Sequence, residues 1–342
     1  MKYRERWKRE RQRRYNRMLR KHTKQKHSKK VPPKKGLSTH VVNKHEIPTP
    51  GIVNAPLNLM LNENVTECVK FFSNIRQQAS EVLKSNHRKV FLNISNINAI
   101  DLPTTMVLNA IGRELAGRSV ILQGNFPSNE ECLDFFVKTG FLNDKVNATG
   151  MRFNKSENTE FFKPRLGQGK LCTTDTIKIC NIVKHACDYL GRNDFYDDLV
   201  AIIKEIAGNS IEWSKSYKEQ WTLGVMFDRD CVRFSILDLG KGILETVYRR
   251  FIKRITQVFS NDIEFLNDVF DKQYTSSSRE ENRYKGLPSI KKAFIDGKIE
   301  NLYVMTNSVL LCFNNPTQSI QFSLSRNAFR GTLYYWEINK NK

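Results

Sequence analysis

Three short polar stretches, set in apolar surroundings, carry residue types able to do chemistry. In "EIAGNSIEWS" Glu205 and Asn209 stand four positions apart, so on a helix they project from nearly the same side, one turn apart. Ile202, Ile203, Ile206 and Ile211 anchor the same stretch, which makes the carboxylate and the amide either a surface pair or the polar edge of a site. In "FSILDLGKGI", residues 234–243, an apolar strand ends in Asp238 and opens onto Gly240 and Gly242. Missing side chains there let a ligand approach the backbone, although many tight turns share the pattern. In "TSSSREENRYKGLPSI" a Ser-rich stretch leads into Gly286 and a helix start at Pro288. A helix N-terminus of this kind suits a phosphate.

Taken in order, the three resemble the motifs of the GHKL ATPase superfamily, which includes gyrase, histidine kinases and MutL and has the Bergerat ATP-binding fold. "EIAGNSIEWS" is similar to the N-box, "DLGKG" to the first glycine box, "YKGLPSI" to the second, and "FRGTLYYWEI" to the closing strand. The resemblance covers about residues 168–342. It implies roles for single residues. Asp238 would accept a hydrogen bond from the adenine amino group, a task suited to an acceptor-only carboxylate. Asn209 would ligate Mg²⁺ through its amide oxygen, and Glu205 would act as general base. Gly240 and Gly242 would leave room for adenine and ribose, Gly286 would offer backbone N–H groups to phosphate, and Thr332 would support the adenine contact. Residues 243–285 would form an ATP lid, with Arg279, Arg283 and Lys285 touching phosphate.

Departures from the pattern bear on turnover more than on binding. Tyr284 replaces the first glycine of the second box, Trp213 stands where many N-boxes carry His or Tyr, and the lid holds its own apolar helix, "ILETVYRRFIKRITQVF". His185 precedes the N-box too closely to be a separate phosphoacceptor, and reads as a histidine on a helix face.

Upstream, "VFLNISNINAIDLPTTMVLNAI", then "VILQG" and "CLDFFVKTGFLND", resembles the STAS fold of anti-sigma-factor antagonists. Asp101 matches that family's Asp-Ser pair, but Leu102 occupies the phosphorylatable serine position. Thr104 and Thr105 are nearby hydroxyls, expected to cap the helix.

The elements that must position these residues follow from hydrophobic period. "NVTECVKFFSNIRQQASEVLKS", "PTTMVLNAIGREL" and "NEECLDFFVKTGFL" have helical spacing, and "KVFLNIS" and "SVILQG" are strands. Downstream, "TDTIKICNIVKHACDYL" and "DDLVAIIKEIAGNSIEWSKSY" are helices. The strands "WTLGVMF", "VRFSILDL", "LYVMTNSVLLCFN", "SIQFSLS" and "GTLYYWEI" follow in hairpin-like succession. The element pattern is therefore α+β, a sandwich with helices on one sheet face behind a smaller α/β domain, and the resemblance implies that the sandwich is of the Bergerat type. The boundaries are 1–45 for a basic arm and linker, 46–155 for the STAS-like domain, and 168–342 for the ATPase domain, with "NKSENTEFFKPRLGQGK" as a polar linker.

Charge is unevenly placed. The chain of 342 residues carries a formal +21, yet residues 1–35 alone hold 17 Lys/Arg against 2 Asp/Glu. Such an arm is either a solvated tail or a phosphate-seeking segment for DNA or RNA, with Trp7 and Tyr15 available for stacking. The seven scattered cysteines form no Cys-x-x-Cys pair, excluding a disulfide framework or zinc knuckle. No apolar run approaches the roughly 20 residues of a membrane span, and no secretory h-region follows the basic start. The expectation is a cytoplasmic Mg²⁺·ATP-binding regulator with a protein partner or homodimer and no membrane association. A serine/threonine kinase of anti-sigma type and a nucleic-acid-associated ATPase clamp are the alternatives.

Overall fold

A computed structural model describes residues 51–84, 88–142, 145, 151, 159–162, 171–213, 221–251, 261–271, 286–324 and 328–340. The expected arm and linker, 1–45, lie outside the described residues. Thr49–Lys342 forms one compact unit.

The chain begins with β1 (Gly51–Asn54), β2 (Asn58–Leu59), α1 (Val65–Lys84), β3 (Lys89–Asn93), β4 (Ala99–Ile100), α2 (Leu102–Gly117), β5 (Ile121–Gly124) and α3 (Glu130–Lys138). In α1 the buried Val65, Cys68, Phe72, Ile75, Ala79 and Val82 recur at three- and four-residue spacing, so one stripe faces the core. Asp101 starts α2: its carboxylate accepts the Thr104 N–H at 2.9 Å, and Pro103 sits in the first turn where no donor is needed. Asn129 caps α3 in the same way, through the Cys132 N–H at 2.9 Å. Strands β1, β3 and β5 make a parallel three-stranded sheet, in the order β1-β3-β5, and β2 pairs with β4. Helix α1 packs on β1 and β3, and α2 on β5.

The second part comprises β6 (Thr159–Phe162), α4 (Thr173–Leu190), α5 (Tyr196–Trp213), β7 (Trp221–Phe227), β8 (Cys231–Asp238), α6 (Ile243–Phe251), α7 (Asp262–Asp271), α8 (Gly286–Ile295), β9 (Glu300–Asn307), β10 (Val309–Cys312), β11 (Ile320–Gln321) and β12 (Phe329–Asn339). Seven strands form one sheet in the order β11-β10-β9-β12-β8-β7-β6, antiparallel at every pairing. The architecture is mixed α+β.

Period-2 alternation sends the strand side chains to two different cores. Along β12, Tyr334, Trp336 and Ile338 join Phe234, Ile236 and Val304 under α4–α8, while Leu333 and Tyr335 point the other way. On that far face Leu237, Met305 and Leu333 belong to the same apolar cluster as α1 and α2. Helices therefore cover one face as the sequence implied, but the opposite face is also buried, beneath the α/β layer of residues 51–142. Arg113 of α2 reaches across this junction, donating to Thr222 Oγ1 at 3.0 Å. Each fully buried Leu, Ile or Phe stabilises by about 1.5–3 kcal/mol, and the junction contains several.

Three segments differ from the sequence reading. "LYVMTNSVLLCFN" is a hairpin, not one strand: Thr306 pairs with Val309, and Asn307, at φ 55°, turns the chain with Ser308. Asparagine tolerates that left-handed backbone better than most residues. Among the described residues of "SIQFSLS" the strand is Ile320–Gln321, paired with Leu310 and Val309 of β10. The segment read as a linker supplies β6, which adds an edge to β7 through backbone pairing.

Candidate functional site

Helix α5 places the first pair. Ile202, Ile203 and Ile206 are fully buried against the sheet, and their neighbours Glu205 and Asn209 come out half-buried at the helix margin. The Asn209 amide nitrogen donates to Glu205 Oε1 at 3.3 Å, so the two do share one side and one turn. That orientation leaves the Asn209 carbonyl oxygen as an available ligand.

Strand β8 delivers Asp238 at its end, paired with Thr332 on β12 and Trp221 on β7. The Gly240 N–H donates to Asp238 Oδ1 at 2.7 Å. Burial pushes the Asp238 carboxyl up to about 6, against hydrogen bonds from Gly240, Thr332 and Ser210 that pull it down. Desolvation wins because few charges stand near enough to offset it. Gly331, at φ 113°, lets β12 come close: a β-carbon there would lie 1.9 Å from the Asp238 carbonyl oxygen.

Gly242 has φ 81°, and a β-carbon on it would meet Asn307 Oδ1 at 2.3 Å. This close fit seats the start of α6. Its first free donors are met from the hairpin turn: Ile243 N–H reaches Thr306 Oγ1 at 2.9 Å and Leu244 N–H reaches Asn307 Oδ1 at 3.1 Å. Asn307 also donates to the Lys241 carbonyl at 2.8 Å. Thr306 and Thr332 hydroxyls lie 3.3 Å apart, linking the cap to Asp238's partner strand. Thr306 and Asn307, both buried, are positioning residues that the sequence reading missed. The polar Thr-Asn-Ser step inside a long apolar run was the available signal.

A slot of about 70 Å³ opens where these parts meet. Asn209, Asp238, Gly240, Gly242 and Thr332 all line it, joined by Lys241 and Tyr334. Gly286 stands at the start of α8, packed so closely on α5 that a β-carbon would sit 1.9 Å from Glu205 Cγ. The structure thus gathers Glu205, Asn209, Asp238, Gly240, Gly242, Gly286 and Thr332 from five separate elements and loops. Arg279, Arg283, Tyr284 and Lys285 lie outside the described residues, as does the Trp213 side chain. His185 is exposed on α4 with its ring 4.5 Å from that of Phe227, a helix-face position.

The upstream hydroxyls are not at this site. Thr104 Oγ1 donates to the Leu59 carbonyl at 2.6 Å and Thr105 Oγ1 to the Leu102 carbonyl at 2.7 Å, all within the core. Asp101, and not either threonine, supplies the side-chain cap of α2. Leu102 is buried.

No protein-family model and no curated protein matches this chain. Among solved structures it is similar to the mycobacterial sensor histidine kinase MprB, at 13% identity over 48% of this chain and 93% of that one, with a TM-score of 0.25. That degree of likeness assigns no role to any residue. Among the described residues no helix is long and apolar enough to cross a membrane.

Proposed function

We propose that the slot between α5, the end of β8 and α6 binds Mg²⁺·ATP, and that this protein is an ATP-dependent regulator. The observation that carries the reading is the single cavity lined by Asp238, Asn209, Gly240, Gly242 and Thr332. Residues from three distant stretches of sequence share one small slot, which packing alone does not require.

In this reading Asp238, acceptor-only when ionised, selects a base that presents an amino group. The glycines at 240 and 242 keep the wall thin. Pockets that bury drug-sized ligands run to about 300–1,000 Å³, so a slot of about 70 Å³ must widen before a nucleotide enters. Helix α6 forms one wall of the slot, its start held by two side-chain caps from the β9–β10 turn.

The donor set fits magnesium. Asn209 offers a neutral amide oxygen beside the Glu205 carboxylate, hard oxygen donors of the kind the ion prefers. Bound there, it would neutralise phosphate charge. Glu205 would position the attacking water or hydroxyl, and the α8 N-terminus at Gly286 would face the phosphates.

Regulation follows from adjacency along two strands. Asp238 and Thr332 face the slot, and their immediate neighbours Leu237 and Leu333 sit in the core shared with α1 and α2. Widening the slot would therefore strain the layer on the far face. A chain acting as a kinase would need a separate acceptor protein, because Leu102, Thr104 and Thr105 are buried.

Titration calorimetry of the full chain with Mg²⁺·ATP tests the reading. Asp238→Asn and Asn209→Ala should each abolish binding while circular dichroism stays native. Equal affinity in the wild type and both variants would refute the site.

A further inference from the structure

On the face of the sheet opposite the nucleotide slot, a cleft of about 1,050 Å³ lies between the start of α2 and the strands β8, β9 and β12. It shares no lining residue with the slot. Its size falls at the upper end of the ligand-pocket range of about 300–1,000 Å³.

Its walls are electrically lopsided. Glu63, Asp101 and Glu337 line it against one cation, Arg233. That cation is already committed: its Nε lies 3.2 Å from Glu337 Oε1, and its Nη1 pairs with Asp228. The remaining carboxylates therefore leave a net negative cleft in a chain whose formal charge is +21. Because residues 1–35 hold 17 Lys/Arg against 2 Asp/Glu of that charge, the potential inside the cleft is set by the carboxylates that line it.

The floor is aromatic. Tyr303 and Tyr335 stack with ring centroids 4.8 Å apart and planes 22° apart. Tyr335 donates its hydroxyl to Glu337. Tyr303 is only 5% exposed, lines the cleft, and its hydroxyl has no hydrogen-bond partner among the described residues. The Tyr303 hydroxyl is not among the enclosed side-chain atoms that lack a partner, so it opens on the cleft, where a ligand donor can reach it. Burial also pushes the nearby Asp101 carboxyl up to about 6, a desolvation cost that an adjacent positive charge would relieve.

We infer that this cleft is a second ligand site, built for a small organic cation bearing an amine or guanidinium group. The cation's N–H donors would meet the Tyr303 hydroxyl oxygen and the Glu63 carboxylate, and its charge would lie beside the tyrosine rings and near Asp101, whose own oxygens already accept the Thr104 and Leu61 N–H groups. This inference does not depend on the nucleotide reading.

The probes are agmatine and spermidine, titrated calorimetrically into the full-length chain, with N-butylurea as the neutral control and succinate as the anionic one. At least one cation should bind with one site per chain, and both controls should bind at least roughly tenfold more weakly. Tyr303→Phe keeps the ring and the packing, and should weaken the cation roughly fivefold by removing one hydrogen-bond acceptor. Glu63→Gln, at an exposed position that cannot unfold the chain, should weaken it by a smaller factor, and the Asp238→Asn variant should bind the cation as the wild type does. Failure of both cations to bind at millimolar concentration would overturn the inference. So would equal binding of the neutral control, or affinities unchanged by both Tyr303→Phe and Glu63→Gln.

Discussion

Gly286 rests directly on Glu205, so near that a β-carbon at position 286 would fall 1.9 Å from Glu205 Cγ and 2.1 Å from Oε1. The absence of a side chain at the start of α8 is what allows the carboxylate its present place. Glu205 has a flexible stem, so a methyl group would displace it without unfolding the helix pair. Gly286→Ala should therefore retain ATP affinity within about threefold while losing roughly 10²-fold in hydrolysis, the lower end of a general base's contribution. Steady-state phosphate release and calorimetry separate the two effects. In a Glu205→Ala background the same alanine should cost nothing further, because the group it displaces is gone.

Asp238 should trade stability for recognition. Its folded-state carboxyl is pushed up to about 6, above the ordinary unfolded value of about 3.9. The folded chain then holds this proton more tightly than the unfolded one, so ionisation costs stability as pH rises from about 4 to about 6, and the cost is complete above that window. Asp238→Asn keeps an oxygen for the Gly240 N–H and carries no charge. Urea unfolding should find the variant more stable than wild type by up to about 3 kcal/mol at pH 8, with the difference vanishing near pH 4. ATP affinity of the wild type should fall below about pH 6, where the protonated acid becomes a donor.

Asn307 holds the start of α6 from a turn of the neighbouring hairpin. Asn307→Ala would orphan the Leu244 N–H and the Lys241 carbonyl and place alanine at φ 55°. The expected loss is about 2–3 kcal/mol in urea unfolding. Asn307→Asp keeps the acceptor for Leu244 and should lose less. If both are neutral, the cap does not secure the wall of the slot.

The two-sided sheet predicts dependence of the second part on the first. Residues 156–342 expressed alone would expose Met305, Phe329, Leu333 and Leu237, which are all buried in the intact chain. A contiguous apolar face of this kind drives association. Size-exclusion chromatography should show oligomers or aggregate with dye-accessible hydrophobic surface. A folded monomer would contradict the shared core.

Much of this was legible in the sequence, for identifiable reasons. The spacing of Glu205 and Asn209 fixes a common helix side wherever α5 forms, and Asp238 lies at the end of an unbroken apolar run. What stayed hidden depends on tertiary partners. β6 is held by backbone pairing with β7, so its polar neighbours gave no strand signal. The β9–β10 turn is only two residues, and its apolar flanks masked it. The second buried face of the sheet was obscured because both faces of β12 are apolar: Leu333 and Tyr335 look no different in sequence from Tyr334 and Trp336. Asp101 matched a phosphorylation motif by position, and the structure uses it as a helix cap.

Base selectivity tests the central claim most directly. Adenine presents an amino group where guanine presents a carbonyl oxygen, and a half-buried carboxylate at position 238 should tell them apart. Competition binding to the full chain with Mg²⁺ should favour ATP over GTP by at least roughly tenfold in the wild type, and Asp238→Asn should bind neither nucleotide with the fold intact. Equal affinity of the wild type for the two nucleotides, or no affinity for either, would contradict the account.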